Sequence, residues 1–178
     1  MQHLGLISLI GYMSSVIFIM HKWGYDLDLT ISDHVSKGRS RQVYAPMTTA
    51  SLTLFLVFML FWLLPELEAP TLAYLLMAAS YATQMVTTII PRTKKQTVVH
   101  DSTASLSGLF MVMLLVVLAV HPVVGEGYSA IIYASVTSMV VLGAFLQSRA
   151  RKYYAVLQGV FFTTFGMNIA ILTYLVAG

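Results

Sequence analysis

The side chains able to do chemistry in this chain are few: five histidines, seven carboxylates and no cysteine. Without cysteine there are no disulfides, thiolate nucleophiles or iron–sulfur ligands, so any chemistry falls to His, Asp, Glu, Ser, Thr or Tyr. Two places set an imidazole beside a carboxylate, Asp33-His34 and His100-Asp101. A histidine held in this way suits general acid–base work if it reaches a substrate within hydrogen-bond distance, and two such pairs brought together could share a divalent metal. The same residues would serve equally as helix caps or as contacts to lipid phosphate. No Gly-rich phosphate loop, HExxH, GxSxG or Asn-linked glycosylation signal is present. The sites that remain are those built between helices.

Further polar groups lie inside apolar stretches. Ser80, Gln84, Thr87 and Thr88 fall on one helical stripe, and His100, Thr103 and Ser107 form a comparable one. Gln147 and Gln158 stand at the same depth in two later stretches. Polar groups facing lipid are costly, so these should face one another or a cleft open to water. Hydroxyls commonly act as hydrogen-bonding glue between membrane helices, whereas Gln84 and Asn168 suit a ligand as well as they suit glue. The eleven methionines show no repeated ligand spacing and read as adaptable core packing rather than a copper path. His3 with His121, or His21 with His100, imitates a pair of haem ligands, although all four lie at the ends of their stretches. Haem-based electron transfer is therefore kept only as the last alternative, and no metal set or cofactor is specified.

The elements that must position these groups follow from composition. With 58% hydrophobic and 10% charged residues among 178, and a mean hydropathy of +0.80, no water-facing surface could cover the chain. Six runs approach the roughly 20 residues needed to cross a bilayer: 4–20, 46–64, 71–90, 102–120, 128–147 and 154–177. The first run, with no basic stretch before it and no small-residue cleavage pattern after it, reads as a retained helix. Proline punctuates the others, at Pro65, Pro70, Pro91 and Pro122. The expectation is an all-α, single-domain bundle of six transmembrane helices. Its connections at 65–70 and 121–127 are tight turns, and only 21–45 is long enough to build structure outside the bilayer.

All ten Lys and Arg fall in three connections: Lys22, Lys37, Arg39 and Arg41, then Arg92, Lys94 and Lys95, then Arg149, Arg151 and Lys152. Glu66, Glu68 and Glu126 lie on the other side with both chain ends. The positive-inside rule places the basic connections in the cytoplasm and both termini outside, in an inner or plasma membrane if the source is prokaryotic. A pocket for anionic lipid would produce the same bias. The net charge of +3 thus reports topology or lipid contact and not nucleic-acid binding.

Thr30-Ile31-Ser32-Asp33 after the first run, Ile90-Pro91 closing the third and Val99-His100 opening the fourth form a familiar pattern. The chain resembles the bacterial and archaeal six-helix membrane family of domain of unknown function 998, itself similar in layout to DRAM-type and GPI-lipid-remodelling membrane proteins. That resemblance implies a six-helix fold, with Ser32, Asp33 and His100 as its characteristic polar positions. The family usually places an acidic residue where Arg92 stands, so the resemblance together with Lys94 and Lys95 favours an anionic partner over a metal. The eukaryotic relatives place the first loop outside the cytoplasm, opposite to the charge-based orientation adopted here.

Three functions follow as expectations. In the first, the bundle binds a lipid or other amphiphile with an anionic head group held by Arg39, Arg41, Arg92, Lys94 and Lys95. Its widest cavity then opens at the basic end, bordered by Gln84, His100, Ser107 or Gln158. In the second, a membrane-embedded hydrolase or transferase acts on a lipid head group through His34, His100, Asp33 and Asp101. In the third, the chain is an accessory subunit of a larger membrane complex, presenting Phe161, Phe162 and Phe165 with Gly159 and Gly166 on its last helix; a homo-oligomer is a separate expectation for its partners.

Overall fold

The computed structural model describes every residue except Tyr25, Leu27, Asp28, Ser36, Lys37, Lys94, residues 148–152 and Gly178, together with the side chain of Gln147. Lys37, Lys94, Arg149, Arg151 and Lys152 therefore lie outside the described residues. Seven helices are used below: α1 (Gln2–Trp23), α2 (Ile31–His34), α3 (Gly38–Glu66), α4 (Thr71–Ile89), α5 (Thr97–Ala119), α6 (Gly125–Gln147) and α7 (Tyr154–Val176). All but α2 are long and apolar enough to cross a membrane, and no strand occurs among the described residues. The chain is a multi-pass integral membrane protein.

Helix α3 departs from the expected 46–64. It starts at Gly38, eight residues earlier, and at 29 residues runs roughly 43 Å, longer than the hydrocarbon core. The polar opening Arg39-Ser40-Arg41-Gln42 hides this turn from a hydropathy reading, yet those residues are good helix formers outside the lipid. Pro46 consequently sits inside the helix instead of at its start. At the other end Met59–Leu63 forms a π turn just before Pro65. Proline has no N–H to give and clashes with the carbonyl four residues back, and a widened turn relieves both. The reversal into α4 places Glu68 in the left-handed region (φ 49) and closes with Ala69 N–H donating to Leu64 O at 2.9 Å before Pro70.

Each spanning helix packs on its neighbours in sequence, and α7 returns to α1. Both chain ends meet at one end of the bundle, where Gln2 Nε2 donates to Thr173 O and the His3 ring stacks on Tyr174. Phe58, Met59, Leu63, Leu64, Leu67, Leu114, Leu115, Leu118 and Ile169 are all fully buried toward that end. Hydroxyl pairs stitch α4 to α5, with Thr87 donating to Thr103 at 2.9 Å and Ser107 donating to Ser80 O at 3.3 Å. Phe161 and Phe165 are buried within the bundle, Phe165 edge-on to Phe55 at 6.1 Å, so the proposed outward aromatic face of the last helix turns inward. The large rings bury most area there and fill the gap beside Gly108.

Candidate functional site

The opposite, basic end contains a cavity of about 330 Å³, within the range of about 300–1,000 Å³ typical of small-molecule sites. Its deeper wall is apolar and comes from Leu109 and Val112 of α5, Met139 and Val140 of α6, and Phe161 and Phe162 of α7. Polar groups gather toward the basic end: Arg41, Gln84, Thr87, Thr88, Arg92, His100 and Gln158. A smaller, apolar cavity of about 50 Å³ adjoins it across Tyr12, Gln84 and Phe162.

Helix α2 covers the water side. A capping box builds it: Thr30 Oγ1 accepts from Asp33 N–H at 3.0 Å, while Asp33 Oδ2 accepts from Thr30 N–H at 3.1 Å and from its hydroxyl at 2.7 Å. Ile31 N–H donates to Gln158 Oε1 of α7 at 2.9 Å, and Ile31, Ser32 and Val35 line the cavity from above. The Thr-x-x-Asp spacing was the signal for this helix, legible in the sequence but not used as one.

Arg92 locks the lid in place. Its Nη1 reaches Asp33 Oδ2 at 2.7 Å, while Nε and Nη2 meet the two Asp101 oxygens at 2.9 and 3.1 Å. Every guanidinium nitrogen is thus engaged, by one carboxylate from the lid and one from α5. Burial raises the Asp33 pKa, but hydrogen bonds from Thr30 and Arg92 outweigh it and hold the carboxyl below its ordinary value. The bidentate bond to Asp101 raises the Arg92 guanidinium in turn, against desolvation. As a group Arg92, Asp33 and Asp101 carry one net negative charge, so Arg92 closes the site rather than attracting an anion.

The other expected residues divide. Arg41 borders the cavity, its Nη2 donating to Ile89 O, and is the lining cation outside an ion pair among the described residues. Arg39 and Lys95 are exposed and do not line the cavity, and Ser107 turns into the α4–α5 seam. His34 is tied to its own turn: Nδ1–H donates to Thr30 O at 2.9 Å and Nε2 accepts from Asp26 N–H at 3.0 Å, the pattern of a neutral ring. Asp33 and Asp101 are joined through Arg92, whereas His34 and His100 hold separate backbone partners.

On the cavity wall, His100 and Gln84 keep hydrogen-bonding capacity. His100, 4% exposed, lines the cavity and donates from Nδ1–H to Ile90 O at 2.7 Å, which leaves Nε2 as an acceptor with no hydrogen bond to another described residue. Gln84, 7% exposed, lines both cavities, and its amide makes no hydrogen bond within the described protein. The extended residue Ile90, which ends α4 before Pro91, holds the first through its carbonyl, and the stripe continuing through Thr87 and Thr88 orients the second. Asn168 of α7 lines neither cavity; its Nδ2 donates to Thr164 O of its own helix, and its Oδ1 is buried without a hydrogen-bond partner among the described residues.

Comparison of the chain with protein-family models, with curated proteins and with solved structures finds no match. Function therefore rests on the geometry of the cavity.

Proposed function

We propose that this protein binds a membrane-partitioned amphiphile, its apolar part within the cavity and its polar group beside Arg41, Gln84 and His100. The observation that carries this reading is a pair of nine-tenths-buried polar residues, Gln84 and His100, which line a chamber with an apolar deeper wall and keep hydrogen-bonding capacity unused by the described protein. Such groups cost free energy at membrane depth unless something inside the chamber bonds to them. Arg41 adds one positive charge, whereas Arg92 is neutralised by its two carboxylates. The head group that fits is accordingly a monoanion such as a phosphodiester or a carboxylate, with hydrogen-bonding atoms spaced to meet an amide and an imidazole. On the charge-based orientation, the site faces the cytoplasm.

Native mass spectrometry of the protein released from its membrane tests this directly. The expected result is a retained amphiphile of single negative charge, depleted in Arg41→Gln and in His100→Phe. Retention that is indifferent to head-group charge and unchanged in both variants would overturn the reading.

A further inference from the structure

The walls of the cavity are unequal. Those supplied by α1, α2, α3 and α4 consist of buried or half-buried residues, and the lid bonded to Gln158 and Arg92 closes the water side. The lining residues that are exposed are Ser105, Leu109 and Val140, at 52% for Leu109 and 55% for Val140, and all three belong to α5 and α6. These two helices are pinned together at the terminal end, where Ser129 Oγ donates to Ala119 O at 2.6 Å. Buried positions on α6 stop at Met139, and between there and Leu146 its residues are half-buried or exposed. Among the described residues the cavity wall is thus exposed only along these two helices. Gly143 of α6 lines the cavity there, and an added Cβ would meet nothing within 4 Å.

Leu109 lies midway along α5, at the depth of lipid tails rather than of water. We infer that the amphiphile reaches the cavity sideways from the bilayer, through a portal between α5 and α6 edged by Leu109, Val140 and Gly143, while α2 stays shut. This route rests on the amphiphile-binding reading above. An apolar chain sliding between Leu109 and Val140 never leaves an apolar surrounding, and its head group meets Gln84 and His100 only on arrival. By contrast, loading from water would require breaking the Arg92–Asp33 pair and the Ile31–Gln158 bond at once.

Proteoliposomes containing a phosphatidylglycerol with a diazirine in its acyl chain distinguish the routes, with adducts mapped by peptide mass spectrometry after illumination. In the native chain, label is expected on the inner wall at Val112 and Phe161 as well as on the lipid-facing surface at Val141 and Phe145. In Gly143→Trp, the indole occupies the portal, so inner-wall label is lost while the surface label persists. Val140→Trp is the second variant, for the case where Gly143→Trp does not fold. Inner-wall label that is unchanged in a folded plugged variant overturns the portal and leaves amphiphile binding standing. Absence of inner-wall label from the native chain overturns both.

Discussion

At the end holding both chain termini, Phe58, Leu63, Leu114, Leu118 and Ile169 are wholly enclosed, and Phe58 presses so closely on α1 that a Cβ at Gly5 would lie 2.4 Å from its ring. At the basic end the same helices surround a cavity of about 330 Å³, capped by one short helix and held by polar contacts. Lipid tails are as apolar as leucine, so the cohesion of membrane helices comes from close packing and interhelical hydrogen bonds. The packed end supplies that cohesion. The other end is thereby free to carry a chamber.

The contrast is tested most severely by truncation. Phe58→Ala should lower unfolding free energy by about 3–5 kcal/mol in detergent, the range for an enclosed aromatic, whereas Leu109→Ala at the portal should stay within about 0.5 kcal/mol. Denaturant titration of the two variants checks this, and equal losses would erase the distinction between the two ends.

Removing the clamp should have an intermediate effect. Arg92→Met leaves Asp33 and Asp101 without their shared cation, and is expected to cost about 1–2 kcal/mol, less than a fully buried pair because Asp101 is half open to water. The loss should be local. Amide hydrogen exchange is expected to rise across residues 30–35 and to remain unchanged for α5 near Leu114 and Leu118.

Gln84→Leu separates stability from binding. Its unpaired amide contributes nothing to internal cohesion, so unfolding free energy should hold or rise by up to about 1 kcal/mol, while affinity for the retained amphiphile falls about tenfold. A variant that loses both together would make Gln84 a structural residue of the packed kind.

The smallest effect is that of acid on the lid. Because the folded Asp33 pKa lies below its ordinary value of 3.8, its contribution is complete above that value and is lost as pH falls through the lower, folded one. Exchange protection of Ile31 and Val35 should therefore be flat from neutral pH to about pH 4 and decline below it. Asp33→Asn, with protection already reduced, should show no further decline.

How much of this was legible beforehand varies with the range of the interaction responsible. Six spans were readable because a bilayer imposes length and apolarity on each helix separately. Gln84 and His100 were readable as costly groups for the same local reason, and the cavity lies toward the basic end with both on its wall. The early start of α3 was missed because hydropathy marks where lipid begins and not where a helix does.

What the amino-acid order determined by itself was thus the set of helices, their alternation across the membrane and which side chains could not face lipid. Only the tertiary structure decided which of those side chains are spent on one another. Arg92 is answered by Asp33, 59 residues away, and Ser107 by Ser80, 27 residues away. Phe161 turned inward, and the exposed part of the cavity wall fell to α5 and α6. Pairing and burial depend on how helices cross in three dimensions, and helix crossing is set by packing between surfaces distant in sequence, which no local pattern of residues encodes.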